Sequence, residues 1–478
     1  MKKALSKKNL WEKTPPLLKS TLGRCLGLIP PKWLLGRSFT ENCKFVRDAQ
    51  WWPAERAREY QLNELREIIN LAYERTKFYR RVFDSVGFRP GDLRTLDDMN
   101  QLPTIDKQVV NENRLDMCTK NVKGRDVDFG STGGTSGTPL HFYLSANRHS
   151  VEYAYLTRSW ERVGYRLGMP MAVLRGRTVR ADRNGLRHEY DPILHHHYYS
   201  NFHMTGDNMR RYLHHIRSIG PCMLHAYPSS AQALANYIIE IGNQGPQNVQ
   251  GVLLESENVY PDQVHAIEKA FHARTFSSYG HSERLVLAVQ CEHTHNYHVW
   301  PTYGFFELLD NDDKPVCTPG QQGEVVGTGF INTVMPFIRY RTGDWATYVG
   351  GCCEACGREH VILSDIEGRW PQGALIAADG SVVTMTALNV HDDTFNNVRE
   401  YQFHQSVPGK ATLCVVPVTP FDDKEKQRIV MNMNKRLQGQ VTLDLEIRTE
   451  LVKTARGKQP RVIQKCTFPV QRPQFKVN

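Results

Sequence analysis

Between residues 171 and 280, short apolar runs alternate with amphipathic stretches, and no other feature of the chain narrows its fold as much. Met171 to Leu174, Pro221 to Ala226, Val252 to Ser256 and Phe276 to Gly280 read as buried strands. Met209 to Ser218, Ser229 to Ile241 and Pro261 to Phe271 read as helices between them. Helices that connect successive strands pack on the faces of a parallel sheet. The expected fold is therefore α/β, with a large layered domain of mostly parallel sheet. After residue 300 the texture changes to strands with Gly-rich turns, as in Gly323 to Gly329. Beyond about Pro371, strand candidates (Ala411 to Val416, Leu443 to Arg448) alternate with a charged helix, Asp422 to Leu437. This reads as a small α+β domain of ordinary size.

Upstream, apolar residues Leu62, Leu65, Ile68, Ile69 and Ala72 recur at helical spacing, so one amphipathic helix is expected from Pro53 to about Val86. Leu102-Pro103-Thr104-Ile105-Asp106-Lys107 leads into a further short helix. Residues 1–50 read as an irregular basic arm with short helical pieces. The expected organisation is thus 1–50 arm, 51–368 large domain and 369–478 small domain, with a hinge at Ile366-Glu367-Gly368-Arg369.

Charge excludes one class of function. The formal net charge is +10 over 478 residues, but nine basic residues face only Glu12 within the first 37 positions. The rest of the chain is near neutral, so no nucleic-acid partner is expected. The arm reads as a solubilising strap, with peripheral contact to the inner face of a membrane as the alternative. No apolar run is long enough to span a bilayer, and no secretion signal follows the basic start. The eleven cysteines are scattered and odd in number, which fits a reducing cytoplasm.

Five motifs carry chemistry. Ser131 to Pro139 holds three glycines and five hydroxyl residues in nine positions, a loop suited to a polyphosphate, although no Gly-Lys-Ser/Thr ends it. A flexible surface loop is the plain alternative. Tyr279-Gly280-His281-Ser282-Glu283 closes a strand, where α/β sheets bind ligands; its ring can stack on a base and its carboxylate can hold Mg²⁺. Tyr340-Arg341-Thr342-Gly343-Asp344 offers an aspartate on a tight turn as an acceptor for ribose hydroxyls. Gly368-Arg369 lies at the domain junction, and Gly457-Lys458 presents a cation that can reach a phosphate.

In this order the motifs resemble those of the adenylate-forming (ANL) enzymes. Within that superfamily they most resemble the phenylacetate–CoA ligase family, in its CapK-like branch of capsule and lipopolysaccharide biosynthesis. Leu102 to Lys107, Arg284 after the Tyr279 motif and Cys356-Gly357-Arg358 add to the likeness, which runs from about residue 50 to the end. The resemblance implies an ATP-dependent, AMP-forming ligase that makes an acyl-adenylate from a small carboxylic acid. The acyl group then passes to an amine, a sugar hydroxyl or CoA. An aryl- or acyl-CoA ligase of phenylacetate type is the alternative. It also implies the sites. Thr132, Gly133, Gly134, Thr135, Ser136, Gly137 and Thr138 would cradle the phosphates. Tyr279 and Gly280 would pack on adenine, with Ser256 and Glu257 on its other side. Asp344 would hold the ribose, Glu283 would bind Mg²⁺, Arg369 would contact the nucleotide, and Lys458 would swing in with the small domain. Leu140 stands where many relatives have lysine, and Ser256-Glu257 replaces the more usual Gly-Glu.

Cys353-x2-Cys356 supplies half of a tetrahedral zinc site, and Cys291-x6-His298 can supply the rest, so a structural Zn²⁺ is expected within 291–356. Cys352, His293 and His295 are rival ligands, and buried free thiols are the alternative. The run His195-His196-His197 reads as a partly exposed strand or a pocket wall in preference to a metal site. Arg175, Arg177 and Arg180 read as surface charge, with a grip on an anionic acid as the sharper alternative.

Overall fold

The computed structural model describes residues 31–119, 127–131, 140–146, 148–176, 179–201, 203–242, 244–367, 374–378, 382–384, 393–395, 397–437, 439–453 and 459–466. The chain forms two compact units, Met1–Gly368 and Arg369–Asn478. The first is built on a mixed sheet of twelve strands among the described residues. Its parallel centre comprises β3 (Met171–Leu174), β5 (His196–Tyr199), β6 (Cys222–Ala226), β7 (Val249–Glu255) and β8 (Thr275–Gly280). The crossovers are α6 (Gly206–Ser218), α7 (Pro228–Glu240) and α8 (Pro261–Phe271). Period-two alternation divides these strands between two buried layers. Ala172, Leu174, Leu224, Ala226, Val252 and Leu254 pack under α6, α7 and α8. Met171, Val173, Met223, Leu253 and Phe276 face the other way. There they meet Val46 of α1 (Pro31–Ala49) and Tyr155 and Trp160 of α5 (Arg148–Trp160). Each fully buried Leu or Val contributes ~1.5–3 kcal/mol, so both faces are strongly held.

Parallel pairing ends where helices no longer join the strands. Beyond β8 come β9 (Leu287–Gln290), β10 (Tyr297–Val299), β11 (Gly304–Leu309), β12 (Gln322–Gly329), β13 (Tyr340–Gly350) and β14 (Ile362–Glu367), all paired antiparallel. At the opposite edge, β4 (His188–Asp191) pairs antiparallel with β5. A separate ribbon, β1 (Val127–Ser131) with β2 (His141–Ser145), closes with Ser131 opposite His141.

Two local expectations change. The long amphipathic stretch is two helices, α2 (Ala54–Arg75) and α3 (Lys77–Ser85). Thr76 breaks it: its backbone is extended, its Oγ donates to the Ala72 carbonyl at 2.7 Å, and it accepts the Tyr79 N–H at 3.1 Å as the cap of α3. Residues 31–49 form a helix interrupted at Gly36. The short helix after Lys107 is α4 (Lys107–Asn113), capped by Asp106 Oδ1. No described helix is long and apolar enough to cross a membrane.

In the second unit β17 (Val398–Val407) and β18 (Lys410–Pro417) form a hairpin. β19 (Thr442–Ile447) joins β18 in parallel after α9 (Asp423–Leu437), and β20 (Val462–Gln464) joins β17. β15 (Ala374–Ile376) and β16 (Val382–Thr384) make a small separate hairpin. The unit is α+β.

Candidate functional site

The Tyr279 and Asp344 motifs meet. Tyr279 lies near the carboxyl end of β8 and Asp344 on β13, and the Tyr279 hydroxyl donates to Asp344 Oδ2 at 2.8 Å. Burial, then the charge of Asp344, push the Tyr279 pKa well above its usual value, so the phenol keeps its proton and acts as donor. His281 completes the group, with Nε2 at 2.6 Å from the same hydroxyl and 3.7 Å from Asp344 Oδ2. Glu283, 5% exposed, lies close enough for its charge to bear on Tyr279. His281 was not singled out from sequence. The only signal would have been its place between Tyr279 and Glu283.

The Asp344 turn is built by its own motif. Gly343 has φ +76°, which a glycine adopts freely. Its N–H donates to Glu324 Oε1 at 3.0 Å, while Arg341 Nε donates to Glu324 Oε2 at 2.8 Å. The Thr342 hydroxyl donates to the Val325 carbonyl at 2.7 Å and accepts the Asp344 N–H at 3.0 Å. Ile105 lies beside this turn, its N–H donating to the Arg339 carbonyl and its carbonyl accepting from Arg341. Arg339 in turn pairs with Glu307 at 2.7 Å in a buried bridge. The Leu102 to Lys107 motif thus braces the Asp344 strand.

Ser256 follows β7 with φ +71°, a region that favours glycine. Glu257 accepts from Ser229 N at 3.0 Å and from Ser229 Oγ at 3.1 Å, so its carboxylate caps the start of α7. Arg175 is not a loose surface charge. It pairs with Glu255 at 2.7 Å and donates to Ser256 Oγ at 2.7 Å, holding the same turn. Arg180 is exposed. Thr132 to Thr138, Arg177, Arg369 and Lys458 lie outside the described residues. The ends of β1 and β2 bracket the first of these segments.

The cysteine site closes as a set of four. Cys291, His298, Cys353 and Cys356 place one donor atom each within 4.8 Å of all the others. Cys291 Sγ is 3.9 Å from Cys353 Sγ, and Cys356 Sγ is 3.9 Å from His298 Nε2. A tetrahedral zinc would set sulfur–sulfur and sulfur–nitrogen separations of about 3.6–3.8 Å, so the donor set and spacing fit. Burial raises the Cys291 thiol, but N–H groups of His293 and Thr294, with the Cys356 thiol, outweigh that and lower it, while burial pushes the Cys356 thiol up to about 11. Burial, then Arg162 and Arg358, push His298 down to about 3, which leaves the neutral imidazole that binds metal. Cys352 is exposed and outside the set. Arg358 clamps the loop, with Nη1 at 2.7 Å from Glu292 and its guanidinium 4.1 Å from the Trp51 ring.

No protein-family model matches the chain. It is 25% identical over 321 residues to a phenylacetate-coenzyme A ligase of Thermus thermophilus, covering 66% of this chain and 71% of that one. It is also 25% identical over 382 residues to Protein CapK of Staphylococcus aureus, covering 80% and 82%. In three dimensions it resembles a 2-hydroxyisobutyryl-CoA ligase crystallised in the postadenylation state with an acyl-AMP. The TM-score is 0.67 at 19% identity, over 87% of this chain and 90% of the other.

Proposed function

We propose, from the premise that this chain is an adenylate-forming ligase of the phenylacetate–CoA ligase family with CapK among its relatives, that it activates a small carboxylic acid with ATP. A carboxylate oxygen attacks the α-phosphorus and pyrophosphate leaves, giving an acyl-adenylate. An acceptor thiol, amine or hydroxyl then attacks the acyl carbon, loses its proton, and AMP leaves. The observation that carries this reading is the meeting of Tyr279, His281 and Asp344 beside the buried Glu283 at a strand end.

In this reading Asp344 accepts from the ribose and is oriented by Tyr279. Tyr279, Gly280, Ser256 and Glu257 form the adenine side. Thr132 to Thr138 donate to the phosphates. Glu283 would hold Mg²⁺, which is ordinarily bound by one or two carboxylates plus substrate phosphates and neutralises charge on them. Arg369 contacts the nucleotide at a hinge between units that divide at Gly368 and Arg369. Lys458 supplies positive charge to the adenylation transition state. The cysteine site would hold a structural Zn²⁺ that fixes the 351–358 loop. Positioning and charge stabilisation supply most of the rate.

The proposed setting is cytoplasmic surface-polysaccharide synthesis, with an amine, a sugar hydroxyl or CoA as acceptor. It is supported by the CapK similarity, which spans more of both chains than the Thermus match. The phenylacetate–CoA ligase relatives favour the second reading, an acid–CoA ligase. Pyrophosphate exchange against aromatic, amino and uronic acids, followed by turnover with and without CoA, separates the two. Lys458→Ala should lose exchange by about 100-fold or more; full retention would remove that role.

A further inference from the structure

A second group of metal-ligating side chains lies at the far edge of the large sheet. It comprises His188 on the edge strand β4, His197 on β5 and His215 on α6, one donor nitrogen of each lying within 4.8 Å of the others. In the sheet order, β8, β7, β6 and β3 stand between β5 and the β9 strand that carries the approach to Cys291.

We infer that His188, His197 and His215 form a binding site for a late first-row divalent ion of the zinc class, separate from the cysteine site. The strand register explains how they meet. Tyr190 lies opposite His197 and His188 opposite Tyr199, so His188 and His197 are diagonal neighbours on one face. His188 Nε2 is 3.0 Å from His197 Nδ1. Tetrahedral zinc–imidazole geometry sets such nitrogens about 3.3 Å apart, which small ring rotations supply. α6 lowers His215 onto the pair, its ring centroid 4.2 Å from that of His188 and 5.6 Å from that of His197.

The third ring is already oriented. Its Nδ1 lies 2.8 Å from the Tyr199 hydroxyl, and Tyr199 is fully buried, leaving Nε2 as the ligand atom. A metal-bound imidazole ordinarily donates its other N–H to such a partner. The neighbouring histidines of the run do not join. His196 points to the opposite face of β5, and His195 turns at φ +56° just before the strand. Asp182 provides a negative charge that bears on His188 and His215, complementing a dication. All three rings are half-buried, so a water can fill the fourth position. Imidazole-only ligation suits zinc, cobalt, nickel and copper and disfavours magnesium and calcium.

Two strands and a helix present the ligands, so the ion would pin the edge hairpin to α6. The test uses the full chain stripped of metal, titrated with Zn²⁺ and with Co²⁺ as a spectroscopic probe. The wild type should take up one more equivalent than His215→Gln and than His188→Asn. Cys353→Ser should lose a different equivalent, the one whose cobalt form shows thiolate charge transfer. The ion that remains in Cys353→Ser should have a nitrogen and oxygen shell by X-ray absorption. Tyr199→Phe, which leaves the three ligands intact, should weaken the histidine site by about 10-fold or more. Circular dichroism identifies any variant that fails to fold, and the X-ray absorption arm does not depend on the histidine variants. Equal uptake by wild type and folded His215→Gln would overturn the inference. So would a Cys353→Ser chain that folds and binds no Zn²⁺ at micromolar concentration.

Discussion

Tyr279 and Asp344, 65 positions apart, share a hydrogen bond that no local pattern announces, while the residues that set up each partner were visible in their own motifs. Ser256 is the counterpart case, since its φ of +71° is the physical content of a glycine-preferring position occupied by serine. Ser256→Val should therefore cost about 1–3 kcal/mol in a denaturant titration, from forcing a β-branched residue into that region. Ser256→Gly should stay within about 1 kcal/mol of wild type, because relief of strain offsets lost chain stiffness and the lost Arg175 contact. His225 makes a pH prediction. Burial, then the Arg175 charge, lower its pKa, so it is neutral in the fold and stability is fully present above the unfolded value of about 6.5. As pH falls below that, the unfolded chain takes up the proton first and stability drops. His225→Gln should flatten the decline between pH 6.5 and 5, read as the slope of unfolding free energy against pH. An unchanged slope would show that His225 titrates alike in the folded and unfolded chain, contrary to a lowered value in the fold.

Legibility at the scale of elements followed burial. β3, β6, β7, β8 and helices α6 to α8 were readable because both faces of β3, β6 and β7 are largely apolar and glycine or proline ends most runs. The edge strand β4, His-Glu-Tyr-Asp, carries no such signal, since its outer side has no sheet neighbour among the described residues. The break at Thr76 was hidden because Phe78, Tyr79 and Phe83 continue the apolar spacing across it. The four zinc-type ligands were legible as a pair of spacings. Their closure depends on β9, β10 and β14 lying side by side, which spacing alone does not supply. If zinc joins these elements, a strong chelator or Cys353→Ser should lower the melting temperature by at least a few degrees, with the greatest gain in hydrogen exchange at 351–358. No change in either quantity would mean that packing and the Arg358–Glu292 pair suffice to hold the loop.

For the whole molecule, two compact units and motifs drawn from widely spaced stretches serve one reaction in this account. Strands and turns place Tyr279, Asp344 and Glu283 among the described residues, whereas the phosphate loop and Lys458 enter through family likeness. What most directly tests the scheme is the fate of the carboxylate oxygens. An acid that supports pyrophosphate exchange would be labelled with ¹⁸O in its carboxylate and turned over with ATP and its acceptor. Adenylation predicts a single labelled oxygen in AMP and none in pyrophosphate. Label in inorganic phosphate or pyrophosphate, with unlabelled AMP, would show attack at another phosphorus and contradict the account.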